Sequence, residues 1–283
     1  MLAVVIVTFS AEAAMLEACV ASVLAAGEAD HVIVIDNGGS AVVGDGVEVI
    51  RPSRNLGFGA GANLGFRRAA ELGATSVALL NDDIEVEAGW LGPLQEALGA
   101  DAALGAVQPK LLLAGSNPPR INSVGVEVGR DGAGTDIGYG EEDGSQFTKE
   151  RSIESFTGGA VLFRSSFLKN TGGFDESYFL YYEDVDLARR GADLGWTYRC
   201  VPASRVWHRL SASTSQLGDR ARLLQERNRL RFAFRFGDSG MVARALWLSI
   251  RRLRWTPRGA HAMALIAGLA SAPATLVARR RAR

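Results

Sequence analysis

The sequence predicts an α/β fold, a mostly parallel central sheet flanked by helices, with a helical extension at the C-terminus. Three observations carry that prediction. Short apolar runs alternate with stretches of helical spacing, beginning with Leu2–Thr8, residues 12–26 and Val32–Ile35. That is the strand–helix–strand order of a parallel sheet. The apolar runs end abruptly in polar groups, at Asp36-Asn37-Gly38-Gly39 and at Asn81-Asp82-Asp83, as strands do where an open sheet meets a ligand. Composition then breaks. All 31 Asp and Glu lie at or before Asp238, whereas nine of the 31 Lys and Arg fall between Arg244 and Arg283. The 283 residues are 47% hydrophobic, which suffices for one large domain with an appendage. Residues 1–236 are assigned to the α/β domain and 237–283 to a basic amphipathic helical extension.

Leu2–Thr8 (LAVVIVT) is short, β-branched and apolar, the pattern of a central strand buried on both faces. Ser10 caps a helix over Glu12 to Ala26. Val32–Ile35 and Val47–Ile50 are the second and third strands. Asp36 stands where an acid commonly bonds a ribose, and it equally suits a plain turn. In residues 54–65 (RNLGFGAGANLG) the glycines permit close backbone approach and open a helix whose free N–H groups suit phosphate. A dinucleotide fingerprint fits poorly here. Arg51-Pro52-Ser53-Arg54 separates the glycines from the preceding strand, and a complete strand–helix–strand unit already lies upstream.

Ser76–Leu80 is the fourth strand, Trp90–Leu98 a helix and Leu104–Leu113 one or two strands. Residues 114–152 lose periodicity and gain Gly, Asp, Glu and Ser, as a long loop or weak hairpin of the kind that carries a lid. Gly158 and Gly159 mark a close backbone approach ahead of a strand at Val161–Phe163. Glu183–Gly191 is helical, Trp196–Val201 is a strand, and Val206-Trp207-His208 follows Pro202. Cys19 and Cys200 fall in core patterns as reduced thiols, with no CxxC pair. The N-terminus lacks a basic leader and a cleavage site, so a cytoplasmic protein is expected.

Two acidic clusters carry the chemistry. Asp82 and Asp83 repel each other unless positive charge sits beside them. A divalent cation carrying a diphosphate meets that need, because hard oxygen ligands suit Mg²⁺ or Mn²⁺. The competing reading is a helix start, with Glu85 and Glu87 in its first turn. The second cluster, Glu183-Asp184-Val185-Asp186, opens a helix whose dipole stabilises each carboxylate by ~0.3–1 kcal/mol. Beside Phe179, Tyr181 and Tyr182 these acids are partly desolvated, which raises a carboxyl pKa toward use as a general base. A lone His such as His208 is, by itself, more often a core or surface residue than a ligand.

Eight motifs in order resemble the inverting glycosyltransferases of family 2, most closely the rhamnosyltransferase-like bacterial members. They are Val5-Ile6-Val7-Thr8-Phe9; Val34-Ile35-Asp36-Asn37-Gly38; Asn55-Leu56-Gly57-Phe58 with Gly61, Asn63 and Gly65; and Leu80-Asn81-Asp82-Asp83. Then come Thr157-Gly158-Gly159-Ala160, Gly172-Gly173-Phe174-Asp175-Glu176, Glu183-Asp184-Val185-Asp186-Leu187, and Gly195-Trp196 through Pro202-Ala203 to His208. The resemblance covers roughly residues 1–236 and implies the GT-A fold, a Rossmann-like nucleotide-diphospho-sugar transferase. It implies roles as well. Asp83 and His208 hold Mg²⁺ or Mn²⁺. Thr8, Asp36, Asn55, Asn63, Asn81 and Asp82 line the nucleotide sugar, with Asn81 standing where several members carry Asp. Asp184 is the catalytic base, and Gly158, Gly159 and Glu183 face the acceptor. The implied reaction moves a sugar, with inversion, from dTDP-rhamnose or a UDP-sugar to a lipid-linked or saccharide acceptor in cell-wall or polysaccharide synthesis. The alternative is a sugar-nucleotide-binding protein without turnover.

The tail points to a membrane surface. Arginines at 220, 222, 227, 229 and 231 stud a helix over 218–236 and could clamp a lipid diphosphate or simply be solvated. Met241–Trp255 mixes Trp247, Leu248 and Leu253 with Arg251, Arg252 and Arg254, the make-up of an interfacial helix. Residues 259–278 are apolar or small but contain His261 and Pro273, so peripheral attachment to an anionic inner leaflet is favoured over a span. Packing of this helical pair on the domain or on a second subunit is the competitor. No nucleic-acid partner is expected.

Overall fold

The computed structural model describes residues 1–9, 13–210, 218–254 and 258–281; the expected Ser10 cap lies outside them. The chain divides into two compact units. The first comprises Met1–Val126, Asp136–Phe179 and Glu183–Ser213, the second Glu127–Thr135, Leu180–Tyr182 and Thr214–Arg283.

The first unit is built on a sheet of ten strands. These are β1 (Leu2–Thr8), β2 (His31–Asp36), β3 (Glu48–Ile50), β4 (Ser76–Asn81), β5 (Ile84–Val86), β6 (Leu104–Leu113), β7 (Ile121–Ser123), β10 (Arg151–Ile153), β11 (Ala160–Arg164) and β12 (Thr197–His208). A separate hairpin holds β8 (Val126–Val128) and β9 (Gly134–Asp136). The main order is β10-β12-β6-β11-β4-β1-β2-β3, with β5 on β12 and β7 on β6. β1, β2, β3 and β4 are mutually parallel, and β12 is parallel to β6, whereas β11 runs antiparallel between β4 and β6. The sheet is therefore mostly parallel at its centre, as the alternating pattern requires.

Every residue of β1 is buried, and alternate side chains enter two cores, as the two-residue period dictates. Ala3, Val5 and Val7 meet Phe66 and Ala69 of α2 (Phe58–Glu71) and the aromatic group of Phe163, Phe167 and Phe174. Leu2, Val4 and Ile6 meet Leu16, Cys19, Val20 and Val23 of α1 (Ala13–Ala26), with Leu91 and Leu94 of α3 (Leu91–Ala100). Full burial stabilises each Val, Leu or Ile by about 1.5–3 kcal/mol. α2 lies so close to β1 that a Cβ on Gly65 would stand 2.3 Å from Val5 Cγ1. Both cysteines are buried and free.

Three local findings position the site. β1 has β2 on one side and β4 on the other, so the strand order reverses there and Thr8 and Asn81 end beside each other at the switch point. Residues 84–86 form a strand, so Asp82 and Asp83 make a turn from β4 into β5 and the helix-start reading falls. The two segments expected around Pro202 are one strand. The ladder of β12 on β6 slips between Val201 and Arg205, where Pro202 has no N–H to offer and Pro109 stands opposite Val201. Residues 114–152, read as a loop or weak hairpin, supply β7, the β8–β9 hairpin, a 3₁₀ turn (Ser145–Phe147) and β10's first residues.

The second unit contains α6 (Gly218–Phe236), α7 (Ser239–Arg252) and α8 (Arg258–Arg281), numbered after α4 (Ser165–Thr171) and α5 (Glu183–Asp193) of the first. α6, expected within the α/β domain, groups with α7 and α8 in the second compact unit. A buried cluster holds it. Arg229 donates to Glu226 at 2.7 Å, to the Ser249 hydroxyl at 2.8 Å and to Asp131 O at 2.9 Å. Arg229 is therefore occupied in structure. Among the described residues, no helix is long and apolar enough to cross a membrane.

Candidate active site

The pairing of β5 with β12 sets His208 opposite Ile84, the neighbour of Asp83. His208 Nε2 lies 3.1 Å from Asp83 Oδ1, with both side chains largely buried. The other ring nitrogen, Nδ1, lies 2.7 Å from Asn122 Oδ1 on β7. An amide oxygen only accepts, so Nδ1 carries the hydrogen and Nε2 turns toward the carboxylate. A ring lone pair facing a carboxylate oxygen needs a proton or a cation between them. One oxygen and one nitrogen donor fit Mg²⁺ or Mn²⁺. Among the described residues no group of three His, Cys, Asp or Glu is placed to hold a metal. Such a cation would take its remaining oxygens from diphosphate and water, the usual arrangement for Mg²⁺.

Asp82 is buried beside the Thr8 hydroxyl and the Phe9 amide. Burial, and then the Asp83 charge, push its carboxyl up to about 6 against the pull of those donors.

The second acidic cluster begins α5. The Gly158 amide donates to Asp184 Oδ2 at 3.0 Å and the Val185 amide to Oδ1 at 2.8 Å. Burial raises the pKa of Asp184 and of Glu183, and for Glu183 the Asp184 charge adds to it. Glu183 is buried with Oε2 lacking a hydrogen-bond partner. Asp186 is structural: it accepts from Tyr178 Oη at 3.2 Å and from Arg190 Nε at 2.6 Å.

Gly158 and Gly159 join the two clusters. A Cβ on Gly158 would meet the Phe58 ring at 3.2 Å and Asp184 Cβ at 3.8 Å; one on Gly159 would lie 3.7 Å from His208 Cε1. The Gly159 carbonyl accepts the Asn81 amide at 2.9 Å. One glycine pair thus touches the Asn81-Asp82-Asp83 turn, His208 and Asp184.

The other residues expected at the nucleotide also bond within the protein. Asp36 accepts from the amides of Gly38 (3.1 Å), Gly39 (2.7 Å) and Ala41 (2.8 Å) and from Arg51 Nε (3.2 Å), so its carboxylate builds the turn after β2. The Asn63 amide is spent on the loop after α4, donating to Phe174 O (2.9 Å) and Glu176 (3.1 Å) and accepting from Phe174 N (2.9 Å). Asn55 accepts from Gly57 N at 2.8 Å and lines a cleft of about 370 Å³ with Arg54, Leu56, Ala60, Glu176 and Phe179.

With this geometry in view, the family model for glycosyl transferase family 2 matches residues 3–171. The chain belongs to glycosyl transferase family 2. Over 114 residues it is 36% identical to the N-acetylglucosaminyl-diphospho-decaprenol L-rhamnosyltransferase of Mycobacterium tuberculosis, covering 40% of this chain and 34% of that one. It spans about a third of the length of the curated relatives it matches. The solved structure of GalNAc-T7 with UDP, GalNAc and Mn²⁺ superposes with a TM-score of 0.66 at 16% identity, over 91% of this chain and 52% of that one. The mannosyltransferase PcManGT of Pyrobaculum calidifontis, solved with GDP-Man and Mn²⁺, gives 0.55 at 15% identity over 99% and 79%. The fold of this family 2 chain is thus GT-A.

Two residues of the site escape a reading of the sequence. Asn37 ties β2 to the start of α2, donating to Gly57 O at 3.1 Å and accepting from Leu56 N at 3.3 Å; in sequence it looks like turn chemistry. Asn122 orients His208 from within the segment that lacks periodicity. Its only signal is a polar pair, Asn122-Ser123, after Ile121.

Proposed function

We propose that this family 2 chain is an inverting glycosyltransferase that moves a sugar from a nucleoside-diphosphate donor to an acceptor hydroxyl. The observation that supports it is the glycine pair at 158–159, which touches Asp184 on one side and His208 and Asn81 on the other. Asp184 is the base. Its two oxygens are steadied by backbone amides, and burial makes it more basic than an ordinary aspartate. It takes the acceptor's hydroxyl proton as that oxygen bonds the anomeric carbon and the bond from that carbon to the diphosphate breaks. The electron pair leaves on the diphosphate, and a single displacement inverts the centre. Asp83 and His208 would hold Mg²⁺ or Mn²⁺, whose charge offsets that of the departing diphosphate. Asn122 keeps His208 in the binding tautomer, and Asp82 with Thr8 lies at the donor side.

A rhamnosyl donor such as dTDP-rhamnose heads the candidates, with UDP-sugars next, because the relative at 36% identity is a rhamnosyltransferase. The diphospho-decaprenol in that relative's name also motivates a lipid-linked acceptor, and a place in cell-wall or polysaccharide synthesis is part of the same proposal. The test is calorimetric titration of UDP-, dTDP- and GDP-sugars with Mn²⁺ and then with EDTA, followed by NMR of the product anomer. Metal-dependent binding of one nucleotide class and an inverted product are expected. Turnover with retained configuration would overturn the mechanism, and donor binding without turnover would leave only a binding protein.

The second unit is read as the peripheral membrane contact at the cytoplasmic leaflet. On α7, Trp247 and Ile250 are exposed; on α8, Met263, Ile266 and Leu269 are exposed. They lie in the stretch that has nine arginines and no acid after Asp238, and Arg251 stacks over Trp247 at 5.3 Å. Exposed apolar groups amid unbalanced positive charge suit an anionic bilayer. Co-sedimentation with phosphatidylglycerol vesicles, lost in Trp247→Asp/Ile266→Asp and absent with phosphatidylcholine, is expected. Equal sedimentation of variant and parent would refute it.

A further inference from the structure

The hairpin foot at the end of β9 carries a carboxylate that neither cluster uses. Asp136 Oδ1 is buried and has no hydrogen-bond partner. The carboxylate takes a hydrogen bond from the Ser123 hydroxyl, and the Asp184 carboxylate and the His208 ring act on it electrostatically. Burial and Asp184 push its carboxyl up to about 6, against the pull of Ser123 and His208.

The position is built and not incidental. Ile137 N donates to Gly125 O at 2.8 Å and Val124 N to Ile137 O at 3.1 Å, so the segment after Ser123 is bonded to the residue after Asp136. Ser123, fully buried, accepts from Gln108 Nε2 at 3.3 Å. Gln108, also fully buried, accepts the Thr157 amide at 2.8 Å, and the next residue but one, Gly159, adjoins His208. A polar relay therefore runs from the Thr157-Gly158-Gly159 turn to the neighbour of Asp136. An unpaired buried carboxyl oxygen is costly to leave unbonded, and such atoms persist where a ligand completes them.

What completes this one follows from its surroundings. It is not a third cation ligand, since no group of three His, Cys, Asp or Glu among the described residues is placed for a metal. Its free oxygen is buried as that of Glu183 is, although Asp136 as a whole residue is half-buried where Glu183 is buried. It lies within electrostatic reach of the base. We infer that Asp136 anchors the acceptor, its Oδ1 accepting a hydrogen bond from a second hydroxyl of a polyhydroxylated acceptor, beside the hydroxyl that Asp184 deprotonates. This rests on the glycosyltransferase reading. It makes Asp136 a specificity residue that selects sugars with a partner hydroxyl over simple alcohols.

The test compares full-length Asp136→Asn and Asp136→Ser with the parent, using the donor that binds. Acceptor probes are the octyl glycosides of glucose, galactose, mannose and N-acetylglucosamine, with their monodeoxy forms. Donor affinity and slow donor hydrolysis by water are measured in parallel. Both variants should keep donor affinity and hydrolysis while acceptor KM rises about tenfold to a hundredfold, the value of a hydrogen bond to a charged group. One monodeoxy acceptor should lose the same factor on the parent and nothing further on Asp136→Asn, as a double-mutant cycle requires for partners. Unchanged acceptor KM, or donor hydrolysis lost in step with transfer, would overturn the assignment while leaving the transferase intact. A parent that neither binds nor hydrolyses any donor refutes the transferase reading and this inference with it.

Discussion

Asp82-Asp83 and Glu183-Asp184 are both adjacent carboxyl pairs, yet their surroundings differ in ways that suit the two separate tasks proposed for them. The first ends a parallel strand at the switch point of the sheet and has a histidine 3.1 Å from its second member. The second opens a helix and has only backbone amides on Asp184 and burial around Glu183. A pair with a nitrogen donor aimed at it suits the cation we propose there. Burial raises carboxyl pKa values in both pairs, Asp82 included, so the pair we assign to proton transfer is set apart by the backbone amides on Asp184 and by the lack of a facing histidine. Sequence spacing is the same in both, so the difference lies in what the fold brings alongside.

The largest effect expected to separate the pairs is loss of Asp184 as the proposed base. Asp184→Asn keeps shape and the amide bonds but cannot take a proton, so kcat should fall by about 10²–10⁴ while donor affinity stays. Because its pKa is raised above 3.8, kcat of the parent should climb with pH along a limb that lies above the ordinary aspartate range. A limb at the ordinary value, or one that persists in Asp184→Asn, would assign the base elsewhere. Next in size is the cation pair. Asp83→Ala, or EDTA on the parent, should abolish metal-dependent donor binding in calorimetry. A donor affinity indifferent to both would mean that Asp83 and His208 are merely an ion pair.

Much of this was legible in the chain, for physical reasons that differ by element. β1 spans the residues expected because an all-buried parallel strand must be apolar along its whole length. The acid at Asp184 was legible because a helix start concentrates carboxylates. The Asp82-Asp83 turn was ambiguous, since acids cap helices as readily as they end strands; pairing of Ile84–Val86 with β12 decides it, and that is a contact over 120 residues away in sequence. Asp36 and Asn63 look like ligand contacts by type, and what the chain could not show is that each also bonds the protein's own backbone and one side chain, Arg51 and Glu176 respectively. Asn122 and Asp136 sit in short strands of a segment too brief and too polar for periodicity to register. α6 follows its own packing, through the buried Arg229 and Glu226, into the second unit.

Asn122 offers an intermediate effect. Its amide fixes which nitrogen of His208 is protonated, so Asn122→Ala should weaken metal affinity about tenfold to a hundredfold, the usual range for such supports. Mn²⁺ titration monitored by calorimetry reads it directly. Asn122→Asp should restore part of the loss, since a carboxylate also accepts from Nδ1; failure of that rescue would show that Asn122 holds β7 and not the histidine.

The smallest effect concerns Glu183, and it sharpens the comparison most. Its carboxyl is buried, lacks a partner at Oε2 and is raised above 4.5 by burial and by Asp184. In the window from 4.5 up to that raised value, the folded chain binds a proton that the unfolded chain releases. Stability therefore falls as pH rises through the window. Glu183→Gln keeps the volume and removes the ionisation, so the fall should be shallower in chemical denaturation across that window, with kcat near that of the parent. A large loss of kcat with an unchanged pH slope would instead make Glu183 the proton acceptor and Asp184 its support. It would reverse the assignment within the second pair and leave the contrast between the two pairs standing.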